Sequence, residues 1–243
     1  MISKRPLSLD VHQLTVISYS QSSVVAIIAG SEKKKYYVHK TLLRQESSFY
    51  YSRLSGVFAD NDEEVSLVQE GCDVVEAMVD YIYRRYRPTT RWAEVDHSHY
   101  AQCYRLADEK LMCGFKNMVM DKLRSAYRKA RPLVDMKDVE EQYALGIGHT
   151  DLAKFLVKLV VYAMMNKSAT YAASDQPDIR VVVDDKWEGA LENACMNNQD
   201  LAVAVLREVM QYRANEYGPA WECSGKCLFH DHTDHSSCPT NSA

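Results

Sequence analysis

The chain has 243 residues, a formal charge of −4 and a pI near 6.1. That balance argues against a protein whose main task is neutralising phosphates, which shows a basic domain or stripe. Hydrophobic residues make up 47%, enough to bury a core.

Taken in chain order, residues 1–23 mix polar and apolar types, with LTVISYS as a weak candidate strand. VVAIIAG (24–30) and KYYVHK (35–40) flank a polar SEKKK turn, and two β-rich runs about a short turn predict a hairpin. The first run shows no polar alternation, so it is expected to be covered on both faces. TLLRQ then predicts about one helical turn. SSFYYSRL predicts a second helix, capped by Ser47 or Ser48 and ended near Gly56. EVSLVQ (64–69) alternates as a strand, with Val65 and Leu67 on one face. Asp73 is the expected cap of VVEAMVDYIYRR, whose Val74, Val75, Met78, Val79 and Ile82 form one apolar stripe. Pro88 and two threonines mark a loop. HSHYAQCYRLADEK places Tyr100, Cys103, Tyr104 and Ala107 at i, i+3, i+4 and i+7. A further helix carries Phe115, Met118, Val119 and Leu123, with Gly114 loosening its start.

Pro132 ends this block. Beyond it, helical patterns run at 138–147 and 151–166, and KSATYAASDQPD is a polar loop. Asp184 or Asp185 starts a helix through Ala194. Asp200 starts LAVAVLREVMQYR, with Leu201, Val205, Val209 and Tyr212 on one side. The organisation expected is an N-terminal segment (1–21), an α+β domain (22–130), an all-helical extension (131–218) and a Cys/His-rich tail (219–243).

No apolar run reaches the length of a membrane span. Lys4 and Arg5 are followed by no apolar run, so no secretory leader is expected. Seven cysteines, four of them scattered in apolar contexts, fit reduced, intracellular usage, in nucleus or cytoplasm. Lys33–Lys35 and the Arg84–Arg87 cluster read as solvated faces, so nucleic acid is not an expected partner.

Catalytic patterns are thin. Neither a GxSxG elbow, a P-loop nor a dinucleotide glycine pattern is present. His39 near Ser47 lacks an acid placed to orient it, and reads as a corner histidine bonded to backbone. His97 and His99 straddle a helix start and read as surface residues. The chain is therefore expected to be no enzyme.

VHKTLLRQESSFYYSRL, EVSL, DVVEAMVDYIY and YRLADEKLMCGFKNMVMDKL resemble, in order and spacing, a BTB/POZ domain, closest in look to fungal members. The residues that carry the resemblance are His39-Lys40, Ser47 with Phe49-Tyr50, Leu67, Tyr81-Ile82-Tyr83 and Ala107-Asp108. It spans roughly residues 22–128. The chain departs from the family at Ser22-Ser23, where an Asp is common, at Arg84-Arg85, and at Glu109-Lys110. The resemblance implies a small sheet flanked by a cluster of helices. It also implies a protein–protein interaction module that oligomerises with itself or with other proteins. Residues 7–20 would then supply an exchanged strand to a homodimer. Cullin-binding members share a hydrophobic-x-acid motif, and Phe58-Ala59-Asp60 is similar to it. An adaptor for a cullin-type ubiquitin ligase is thus the alternative, with Phe58 and Asp60 as partner-binding residues.

The last segment carries six thiolate or imidazole donors between Cys223 and Cys238. Cys223, Cys227, His230 and Cys238 are the expected ligand set for a structural zinc. A zinc-bearing transcription regulator is a further alternative. Lys226 is the sole basic residue among these donors, beside Asp231 and Asp234, which disfavours a nucleic-acid finger.

Overall fold

The structure is a computed structural model that describes residues 22–55, 64–83, 97–130, 134–165, 170–171, 179–180, 185–215 and 229. The described residues fall into two compact units. The first lies within 1–91 and 105–115, and the second within 92–104 and 116–243. The class is α+β, as the sequence predicts.

The first unit opens with the expected hairpin. Strand β1 (Val24–Ala29) pairs antiparallel with β2 (Lys34–His39), Ile27 opposite Tyr36, and parallel with β3 (Glu64–Leu67), Ile27 opposite Val65. The sheet order β2-β1-β3 puts β1 in the centre. Its uninterrupted apolar run follows from that place: Val25, Ala26, Ile27 and Ala29 are all buried. The turn between β1 and β2 needs Gly30, which sits at φ +66, and a Cβ there would stand 2.6 Å from Cys72 Sγ. Its N–H donates to the Glu70 carbonyl at 3.0 Å.

Helix α1 (Lys40–Glu46) follows at once and buries Leu42 and Leu43. Its N-cap is His39, whose side chain does not cap it. The cap comes from elsewhere: Ser22 Oγ accepts the Thr41 N–H at 3.2 Å, and the Ser23 carbonyl accepts the Lys40 N–H. Ser22 and Ser23 thus satisfy two of the N–H groups that the helix start leaves without an intrahelical partner. Helix α2 (Ser48–Arg53) is capped by Ser47, whose Oγ accepts the Tyr50 N–H at 3.0 Å. Helix α3 (Cys72–Ile82) lays Val74, Val75, Met78, Tyr81 and Ile82 into the core. Its N-cap is Gly71, not Asp73. Asp73 lies one residue inside the helix, where a carboxylate meets the positive end of the helix dipole. The end of α4 (His97–Glu109) and the start of α5 (Cys113–Ala130) complete the unit, with Leu106, Ala107, Met112 and Phe115 buried.

The second unit takes Tyr100, Cys103 and Tyr104 of α4 and Val119, Met120, Leu123 and Tyr127 of α5 into its core. Helix α6 (Met136–Ala144) is capped by Asp135. Helix α7 (Asp151–Met165) is apolar almost all round, and ten of its fifteen residues are buried, so it is the unit's central rod. Helices α8 (Asp185–Asn197) and α9 (Gln199–Asn215) complete it. Trp187 on α8 donates its indole N–H to the Val134 carbonyl at 2.9 Å. The cap of α9 is Asn198, whose Oδ1 accepts the Leu201 N–H, so Asp200 stands in the first turn rather than at the cap. Among the described residues the unit is helical apart from β4 (Thr170–Tyr171), inside the expected polar loop, and β5 (Ile179–Arg180), just beyond it, which form a two-residue antiparallel pair.

Candidate interaction surface

His39 and Ser47 do not form a catalytic pair. The Ser47 hydroxyl donates to the Lys110 carbonyl at 2.5 Å and accepts the Tyr50 N–H, so both its roles are spent on backbone. His39 is tied to Tyr83: its Nδ1 lies 2.6 Å from the Tyr83 hydroxyl, and its backbone N–H donates to the same oxygen at 3.2 Å. With the oxygen accepting from the main chain, its proton is free to point at Nδ1. The corner is therefore structural, as expected, and a phenol 44 residues downstream helps to hold it. His99 also differs from expectation. It is half-buried on α4, its Nε2 3.4 Å from Cys103 Sγ one turn on.

The motif residues that carry the resemblance are mostly interior. Tyr50, Tyr81 and Ala107 are buried, and Phe49 meets Tyr50 edge-on at 5.2 Å. Lys110 Nζ stands over the Phe49 ring at 5.3 Å. Such residues hold the first unit together and leave binding to other side chains. Phe58 and Asp60 lie outside the described residues. The segment that holds them joins Leu54, buried at the end of α2, to β3, whose Val65 is buried.

Apolar side chains at the surface are the remaining binding material. The first unit exposes Tyr37 (64%) and Tyr51 (56%). Tyr37 is on β2, an edge strand of the sheet. The second unit exposes Val203, Leu206 and Met210 on α9. These stand at i, i+3 and i+7, so they form one stripe, while Leu201 and Val205 turn inward. Contiguous exposed apolar surface marks interaction sites more often than isolated residues do. Asp200 and Arg207, both exposed, flank the stripe two turns apart. The hydrophobic pattern of α9 thus has two faces where the sequence reading used one.

Cys223, Cys227, His230 and Cys238 also lie outside the described residues. Among the described residues, no group of three or more His, Cys, Asp or Glu side chains is arranged to hold a metal. Also among them, no helix is long and apolar enough to cross a membrane. One tail residue is described. Phe229 is 2% exposed, edge-on to Phe155 at 5.4 Å and beneath the Arg124 guanidinium at 5.9 Å.

No family model and no curated protein matches the chain. Among solved structures, it is similar to the BTB (Tramtrack and Bric a brac) domain of human Gigaxonin. The identity is 13%, over 50% of this chain and 98% of that one, with a TM-score of 0.37. At that score the likeness carries no argument, and the α+β class rests on the chain's own elements.

Proposed function

We propose that the chain is a BTB/POZ-type protein-interaction module, working inside the cell without chemistry of its own. The observation that carries the reading is the order of elements in the first unit. A hairpin runs through the His39 corner into two short helices, a core strand, and a helix ending Tyr-x-Tyr. Each described piece of the sequence resemblance takes a packing or capping role in that order, as a shared scaffold requires. The exposed Tyr37 on an edge strand and the exposed stripe on α9 are surfaces through which such a module would bind. Its partners are a second copy or other proteins.

Light scattering of the purified chain tests the reading. A dimer that becomes a monomer when residues 1–21 are removed supports self-association through an exchanged N-terminal strand. A monomer at all concentrations removes it.

The adaptor reading rests on Phe58-Ala59-Asp60, an apolar anchor beside a charge. A pull-down with a cullin N-terminal domain tests it, comparing the wild type with Phe58→Ala plus Asp60→Lys. Binding by the wild type that the double variant loses supports the adaptor. Absence of binding by the wild type sinks it and leaves the self-association reading standing.

A further inference from the structure

We infer that the exposed stripe of α9 is a contact between two copies of this chain, which pair antiparallel through Val203, Leu206 and Met210. The inference rests on α9 alone and stands apart from the reading of the first unit.

The helix has two distinct faces. Leu201 and Val205 are buried, and Lys158 of α7 holds Glu208 on that same side. Val203, Leu206 and Met210 are 46%, 62% and 66% exposed, and Gln199, one turn before Val203, is exposed too. These four are spaced by four, three and four residues, the alternation of a coiled-coil seam. A helix already packed on its own core gains nothing from a second apolar seam unless something covers it.

Charge decides what covers it. Asp200 and Arg207 are both exposed, and each directly follows a seam position, Gln199 and Leu206. They therefore lie on one flank of the seam, seven residues apart and of opposite sign. Reversing one helix against another brings the same flank of both to one side of the seam. A two-fold axis between Ala204 and Val205 then sets Asp200 of each copy against Arg207 of its mate. The same register sets Val203 against Leu206 and Gln199 against Met210. One helix thus carries its own complement, in apolar contacts and in charge. A parallel pair would hold each residue level with its like, and neither charge would meet its opposite. Four such layers of side chains stay below the ~1,200 Å² at which stable interfaces begin, so the contact is weak, with a dissociation constant of about 10–100 μM.

Sedimentation equilibrium of the full chain over a concentration series tests this. Wild type is expected to associate in that range, and Leu206→Glu to weaken association by about tenfold or more. Asp200→Arg and Arg207→Asp each make both flanking contacts like-charged, so each alone is expected to weaken it by about tenfold. An equimolar mixture of these two variants restores opposite charges at both contacts. It is expected to associate within about threefold of wild type. Mixing does not cure a folding defect, so the rescue is independent of any stability that Asp200→Arg loses at the start of α9. A wild-type mass that stays constant up to about 1 mM overturns the proposal. So does Leu206→Glu associating like wild type, which would assign the stripe to another occupant. Association that Leu206→Glu loses but mixing fails to restore overturns the antiparallel pairing. Exchange of residues 1–21 is a separate contact, and it would show as a dimer that every variant keeps. The failure of either reading is therefore seen without the other.

Discussion

The Tyr81 hydroxyl donates to Glu46 Oε2 at 2.9 Å, tying α3 to the end of α1, in space that a side chain at position 114 would fill. A Cβ built on Gly114 would stand 2.1 Å from that hydroxyl oxygen but 3.4 Å from the ring carbon that bears it. Gly114 is therefore required by the hydroxyl rather than by its own backbone. Gly114→Ala is expected to destabilise the protein by about 2 kcal/mol or more, the cost of overpacking together with a displaced hydrogen bond. Tyr81→Phe alone should cost about 1 kcal/mol. With the hydroxyl gone, the methyl group meets only an ordinary contact and gains helix propensity. Adding Gly114→Ala to Tyr81→Phe should then be nearly neutral. Urea unfolding of the four chains measures this, and simple additivity would refute it.

Ser47 carries two bonds at once, one to the α2 N-terminus and one to the Lys110 carbonyl 63 residues away. It is 2% exposed, so water does not readily replace either. Ser47→Ala is expected to cost about 2 kcal/mol, more than a surface cap, because the half-buried Lys110 carbonyl loses its partner along with the helix end. Ser48→Ala, at an exposed neighbour, is expected to stay within about 0.5 kcal/mol. Equal melting temperatures for Ser47→Ala and wild type would contradict the assignment.

What could be read in the sequence was periodic or local. The unbroken apolar run of β1 reported a central strand, and Val65 with Leu67 reported a one-faced one. The stripe of α3 reported most of its buried side, though Val79 is only half-buried and Tyr81 takes a core place the stripe left out. What escaped was set by partners distant in sequence. Ser22 caps α1 across 19 residues, and Tyr83 holds His39 across 44. No local pattern marks either. Helix starts were misplaced where an acidic residue stood just inside the true cap: Asp73 hid Gly71, and Asp200 hid Asn198. Phe229 was missed as an anchor because a single aromatic in a polar tail has no period to betray its burial. Phe58, Asp60 and the tail cysteines and histidines were legible only as residue types at a spacing.

Tyr50 is fully buried at the junction of α2 and the core, and among the described residues nothing accepts or donates to its hydroxyl. Burial pushes its phenol well above the usual tyrosine value; Arg53 lowers it and Glu70 raises it further, both by smaller amounts. The folded state therefore keeps a proton that the unfolded chain gives up near pH 10. Stability is at its full value below pH 10 and falls as pH rises from there toward the higher folded value. Burial raises Tyr100 and Tyr143 in the same direction. Tyr50→Phe removes an unpaired buried hydroxyl, so at pH 7 it should be neutral or stabilising by up to about 1 kcal/mol. It should also flatten the alkaline decline. Thermal unfolding from pH 7 to 11 checks both. A large loss at pH 7 would show that the hydroxyl has a partner after all.

Lys158 on α7 donates to Glu208 Oε1 on α9 at 2.6 Å, and the two side chains are 19% and 14% exposed. Surface pairs contribute little, but this one is largely screened from water and joins the central rod to the last helix. Removing Lys158 strands the Glu208 carboxylate in a poorly solvated place. Lys158→Met is expected to destabilise by about 2–3 kcal/mol, and Glu208→Leu by no more than that. Replacing both with apolar residues of similar size removes the stranded charge, so the double variant should recover most of that loss. Salt should affect wild type and the double variant alike, since a shielded pair is weakly screened. Urea unfolding at low and high salt reads all four chains. Glu208 is on the same helix as the exposed Val203, Leu206 and Met210. The double variant is therefore also expected to keep whatever partner binding that stripe supports, while either single variant loosens the helix that presents it.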